Sequence, residues 1–152
     1  MNTLQRVIAS HPFFDGLPGD YLRIITGCAS NVRFDEGQMI FRQGEEANHF
    51  YLIRHGSVSK EVSPPHGNPT VVQRLEEGDI LGWSWLVPPY QWRYDARALT
   101  MTRAIALDAS CLRHKCEEDP ALGYELLKRF SHHVSRTLDA TILQLMDVYA
   151  LH

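Results

Sequence analysis

The three tryptophans of the chain, Trp83, Trp85 and Trp92, fall within ten residues of one another, in the run Gly82-Trp83-Ser84-Trp85-Leu86-Val87-Pro88-Pro89-Tyr90-Gln91-Trp92-Arg93-Tyr94. Aromatic side chains grouped this closely either stack on a flat ligand or fill a core. Arg93 adds a guanidinium able to hold an anionic oxygen group through paired hydrogen bonds. Gly82 has no Cβ and lets backbone or ligand approach closely. The candidate ligand-binding residues are therefore Gly82, Trp83, Ser84, Trp85, Trp92, Arg93 and Tyr94. Asp95 is placed to pair with Arg93 or Arg97, and pairing with Arg93 would cancel the charge that an anion needs.

Other chemistry finds less support. The chain has eight histidines, but His49 and His55 stand six apart, His66 lies in a proline-rich tip, and adjacent His132 and His133 diverge on a helix. No metal site is expected from them. Cys28, Cys111 and Cys116 are odd in number and lack the spacing of a disulfide framework, which fits a reducing cytoplasm. Cys111 and Cys116 are expected to be ordinary helix residues, and an iron–sulfur cluster would need four ligands. Neither a Ser-His-Asp order nor a phosphate-binding P-loop is present, so the reading is non-enzymatic.

The 152 residues carry 15 Lys and Arg against 18 Asp and Glu, a net charge of −3. That balance, with no basic run, argues against a nucleic-acid binder. No apolar stretch is long enough to span a bilayer, and Met1–Ser10 lacks the layout of a secretion signal. The expected protein is soluble and cytoplasmic, without DNA or membrane as partner.

The elements that must position the tryptophan segment can be read from the surrounding pattern. Residues 1–30 read as helix, turn, helix, with Asp20 at the start of the second helix. Residues 31–108 hold eight short apolar segments separated by glycine turns: 32–34, 39–41, 50–53, 57–62, 70–75, 80–81, 96–99 and 104–107. Such spacing predicts an antiparallel barrel or sandwich, with the run Pro64 to Pro69 as a hairpin tip. Residues 109–152 return to helix, a short one over 109–118 and a long one from Pro120 to about Ala150. At 1.5 Å per residue the long helix extends ~45 Å. Its stripe of Leu122, Leu126, Leu127, Phe130, Val134, Leu138, Ile142, Leu145 and Tyr149 exceeds what one small barrel covers, which predicts a homodimer through residues 120–150.

Several motifs, in order, resemble the cyclic-nucleotide-binding domain family, the sensory domain of catabolite-activator and Fnr-type bacterial regulators. They are Phe34-Asp35-Glu36-Gly37-Gln38-Met39-Ile40-Phe41-Arg42-Gln43-Gly44, then Phe50-Tyr51-Leu52-Ile53-Arg54-His55-Gly56-Ser57-Val58, and Leu75-Glu76-Glu77-Gly78-Asp79-Ile80-Leu81-Gly82. Pro12-Phe13-Phe14-Asp15-Gly16-Leu17 is similar to the family's entry turn, and Arg97-Ala98-Leu99-Thr100 and Ile105-Ala106-Leu107-Asp108 to its last two strands. The resemblance implies a mainly β fold, a β-roll or jelly-roll barrel with flanking helices and a long C-terminal helix. It makes residues 1–152 one such domain, without the DNA-binding domain of the full regulators.

The resemblance also locates the family's phosphate-binding cassette at the tryptophan segment. There a glycine and a glutamate open a short helix, and an arginine holds the cyclic phosphate. In this chain Gly82 is in place, and Trp83 stands where the glutamate would accept from ribose. Counting forward from Gly82, Arg93 takes the arginine position; counting back from Arg97, Trp92 takes it. Three readings follow. Arg93 binds a cyclic nucleotide's phosphate with tryptophan faces replacing the ribose contact; a different flat or apolar ligand stacks in the pocket; or the tryptophans fill the pocket of a ligand-free dimerisation or docking module. The implied partners are a second copy, a cyclic nucleotide or other small ligand, and an unknown protein effector; no further cofactor is implied.

Overall fold

Short apolar runs such as Met39-Ile40-Phe41, Phe50-Tyr51-Leu52-Ile53 and Ala104-Ile105-Ala106-Leu107 recur along the chain, and glycine turns separate them. That pattern folds into two antiparallel four-stranded sheets. In the computed structural model, which describes residues 3–150, the strands are β1 (Ala29–Phe34), β2 (Met39–Phe41), β3 (His49–His55), β4 (Val58–Val62), β5 (Thr70–Leu75), β6 (Ile80–Leu81), β7 (Asp95–Ala98) and β8 (Thr102–Asp108). One sheet has the order β1-β8-β3-β6 and the other β2-β7-β4-β5. All eight predicted segments are strands, three of them with the predicted ends and the others with ends shifted by at most three residues. This is the expected β-roll. The run Pro64 to Pro69 forms the hairpin tip between β4 and β5, whose register closes at Val62 and Thr70.

Four helices complete the described elements: α1 (Thr3–Ser10), α2 (Gly19–Thr26), α3 (Ala109–Glu118) and α4 (Pro120–Ala150). Asp20 does not cap α2, contrary to expectation. The helix opens two residues earlier, at Gly19 after Pro18, and Asp20 sits in its first turn paired with Arg23 at 3.1 Å. Asp108 caps α3, its Oδ1 accepting from the Cys111 N–H at 2.7 Å. Asp119 does the same for α4 through the Leu122 N–H.

The chain divides into two compact units between His114 and Lys115. The first holds both sheets, with Phe14, Phe50, Leu52, Ile53, Val58, Leu81, Trp85, Ile105 and Leu107 in its core. At one end Phe13 packs edge-on against Phe14 and Phe50, at centroid distances of 4.9 and 6.2 Å. This is the aromatic entry turn read from the sequence. The second unit is chiefly α4, 31 residues long, in which Leu122, Leu126 and Phe130 are buried. Glu125 in its second turn pairs with Lys128 and Arg129.

The cysteines depart from expectation. Cys28, just before β1, and Cys111, in the first turn of α3, form a disulfide, and Cys116 is free. Eighty-three residues separate the two bonded cysteines, so no local spacing announces the pair.

Candidate functional site

The site is built on the sheet β2-β7-β4-β5. In an antiparallel ladder, residues directly opposite one another project from the same face. Val58 lies opposite Leu75 and Ala98, Lys60 opposite Gln73 and Ala96, and Phe41 opposite Ala96. Leu75, Ala96 and Ala98 are buried, so this face is the interior and Lys60 belongs to it. Ahead of β7, the Gly44 N–H donates to the Trp92 carbonyl at 2.8 Å, and the Trp92 N–H donates to the Glu45 carbonyl at 2.9 Å. That pins an extended stretch in which Trp92, Tyr94, Ala96 and Ala98 are buried, while Arg93 is exposed and Asp95 and Arg97 are partly exposed.

Of the two countings, the inward position therefore falls to Trp92. Its ring stacks on Phe41, with centroids 3.6 Å apart and planes at 4°, and lies 6.3 Å from the Tyr94 ring. Gly82, at φ +100°, faces that indole: a Cβ there would stand 2.4 Å from Trp92 Cη2. The close approach that glycine permits is used by the chain's own tryptophan. Gly82 also does not open a helix with inward-facing N–H groups. Only a single 3₁₀ turn follows, Ser84–Leu86, with no side-chain cap from Trp83.

The seven candidates separate into groups. Gly82, Trp92 and Tyr94 meet in the interior. Trp83 and Arg93 meet apart from them, the guanidinium 5.9 Å from the indole centroid. Arg93 as interior anion contact is thus not the geometry the strand gives, because the residue after an inward Trp92 must project outward. Trp85 is fully buried and stacks on Phe50 at 5.1 Å, and its carbonyl accepts from Arg113 at 2.6 Å. Ser84 is buried beside it in sequence. Asp95 pairs with neither arginine: its Oδ1 accepts from the Gln43 N–H at 2.8 Å, while Arg97 pairs with Glu61 at 3.2 Å.

The interior also holds a cation. Lys60 is only 9% exposed, and its Nζ lies 4.3 Å from the centroid of the Tyr94 ring. It donates to Gln73 Oε1 at 3.1 Å. Burial disfavours the ammonium and pushes its pKa down to about 8. Tyr94 is likewise 9% exposed, and its hydroxyl has no hydrogen-bond partner among the described residues. Burial holds that phenol well above its ordinary range. On the opposite face of β4, Glu61 accepts from Ser59 and from Arg97. Lys60 had a signal in the sequence: it shares the parity of Val58 and Val62 in a strand that alternates faces. A cleft of about 520 Å³ adjoins Phe41 and Trp92, bordered by Glu45, Glu46, His49 and Tyr51. Among the described residues, no three of His, Cys, Asp and Glu converge as metal ligands. None of the described helices is long and apolar enough to cross a membrane.

Residues 31–119 match the family model of the cyclic nucleotide-binding domain. A CRP-like cAMP-activated global transcriptional regulator of Mycobacterium tuberculosis is 23% identical over 134 residues, 88% of this chain and 60% of that protein. The chain thus spans less than two-thirds of that relative's length. Among solved structures, a candidate cyclic nucleotide-binding protein from Geobacter metallireducens GS-15 superposes with a TM-score of 0.80 at 27% identity, covering 91% of this chain and 99% of that one. A cyclic nucleotide-binding domain from Methylobacillus flagellatus KT shares the fold at a TM-score of 0.80 and 14% identity, covering 95% and 81% of the two chains.

Proposed function

The chain belongs to the cyclic nucleotide-binding domain family, and from that premise we propose that it is a non-enzymatic sensory module with non-standard nucleotide recognition. The observation that carries this reading is Trp92, an indole on the inward position of the cassette, stacked on Phe41 and pressed against Gly82. With Trp83 at the position the family gives to a glutamate, a ribose hydroxyl loses its acceptor. Cyclic-nucleotide affinity should then be weak. The proposed pocket comprises Gly82, Ser84, Trp85, Trp92 and Tyr94, with Trp83 and Arg93 at its outer edge.

The module works as a homodimer through α4, in the cytoplasm, and passes its signal to a protein effector. Leu127, Leu138, Ile142 and Leu145 are exposed along α4, an apolar surface of the kind a second copy covers. In a reducing cytoplasm Cys28 and Cys111 would be held as thiols.

Thermal denaturation with cyclic AMP, cyclic GMP and cyclic dinucleotides at millimolar concentration tests the reading. A ligand at 100 times its Kd stabilises by about 2.7 kcal/mol. A cyclic mononucleotide is expected to raise the midpoint only at the millimolar end. Saturation at low micromolar concentration would contradict non-standard recognition. No stabilisation by any compound would favour the second reading, a ligand-free dimerisation or docking module, which the filled space between Gly82, Phe41 and Trp92 supports. With indole added to the same series as an uncharged aromatic probe, a midpoint raised by indole alone would favour a binder of a different flat or apolar molecule.

A further inference from the structure

Lys60 presents a problem that packing alone does not solve. Its neighbours on the same face of the sheet, Val58, Ala96 and Ala98, are apolar and fully buried, so an aliphatic residue would complete that surface without the cost of desolvating an ammonium. An ammonium carries three donors. The side chain makes one hydrogen bond, to Gln73, and rests over the Tyr94 ring. The nearest carboxylates in sequence give no help. Glu61 and Asp95 lie opposite each other on the other face of the ladder, where one holds Arg97 and the other the Gln43 N–H. Among the described residues no acid pairs with Lys60. On the ring beneath it, the Tyr94 hydroxyl is a buried donor with no acceptor among the described residues.

A buried cation beside an unpartnered buried hydroxyl, against the stacked pair Phe41 and Trp92, is a receptor for one kind of group: an anionic oxygen on a flat, ring-bearing molecule. We propose that Lys60 and Tyr94 are the anion-recognition pair of this roll, taking the charged oxygen of such a ligand from β4 and the segment before β7 instead of from a cassette arginine. This rests on the sensory reading above. It replaces the family's phosphate contact with a pair in which Tyr94 was a candidate from the sequence and Lys60 is assigned by neither the motifs nor the comparisons. The shared ligand chemistry has two sources, a cyclic nucleotide monophosphate and an aromatic carboxylate.

Calorimetric titration of the full chain with cyclic AMP, cyclic GMP and benzoate separates these possibilities. At least one is expected to bind wild type, with affinity falling at least tenfold in Lys60→Met and in Tyr94→Phe, while thermal midpoints show both variants folded. Binding by benzoate alone, lost in Lys60→Met, would uphold the pair and overturn the nucleotide reading. Nucleotide binding unchanged in both variants would overturn the pair and leave the sensory reading standing. No binding to wild type by any of the three would overturn both. Should either variant fail to fold, acetylation footprinting of wild type gives the same decision. The chain has three lysines, Lys60, Lys115 and Lys128. A saturating bound probe should slow modification of Lys60 at least threefold relative to the other two, and equal rates with and without it would overturn the proposal.

Discussion

Lys60 makes the interior's chemistry measurable through pH. Its folded pKa of about 8 lies below its ordinary 10.5, so between those values the unfolded chain binds more protons than the folded one. Stability should therefore rise as pH climbs from about 8 to about 10.5. A shift of that size corresponds to on the order of 3 kcal/mol at neutral pH. Lys60→Met is expected to be more stable than wild type at pH 7, with the advantage shrinking across that window in urea titrations. A pH-independent difference would place the ammonium outside the interior. Gly82 gives a second prediction. Gly82→Ala combines a positive φ with a clash against Trp92, and should cost at least ~2 kcal/mol in the same assay. Adding Trp92→Phe, which removes the clashing ring atoms, should restore part of that loss. Which of Trp92 and Arg93 faces inward was not legible in the motifs, because one residue of loop length flips every side chain to the other face. Lys60 was missed: its parity with Val58 places it on the inner face, but a charged residue in a β strand is ordinarily read as solvated.

Local pattern carried most of the elements. Glycine turns and short β-branched runs located all eight strands, and the Asp119-Pro120 break located the start of α4. The cassette turn was less legible. Gly82 has the positive φ that a turn calls for, yet Pro88-Pro89 and the tryptophan packing leave a single 3₁₀ turn after it. Long-range pairing is invisible to local pattern, and the Cys28–Cys111 disulfide is the case in point. It ties the entry of β1 to the first turn of α3 across 83 residues. Closing a loop of that length stabilises by up to about 4–5 kcal/mol in the chain-entropy account. Cys111→Ser should lower the denaturant midpoint of oxidised protein and leave that of fully reduced protein within ~1 kcal/mol. Equal midpoints for oxidised wild type and the variant would show that the bond does not form in solution.

For the whole molecule, the long amphipathic helix α4 carries the exposed apolar surface that bears on assembly. Leu138 is 57% exposed, and Ile142, Leu145 and Tyr149 follow it at helical spacing. A dimer by sedimentation, weakened at least tenfold by Leu138→Glu, is the expected result. A monomer at high micromolar concentration would remove dimerisation from the proposed function. The same stripe was legible in the sequence because its 3–4 periodicity outruns the barrel. The ligand of the proposed sensory module was not, because family motifs describe the roll and a ligand is chosen by the few side chains lining it. We infer that those side chains do not include a cassette arginine. Calorimetric titration of cyclic AMP into wild type and Arg93→Ala tests it most directly. Weak binding with equal affinity in the two proteins, within twofold, is the predicted result; a tenfold or greater loss in Arg93→Ala would contradict it.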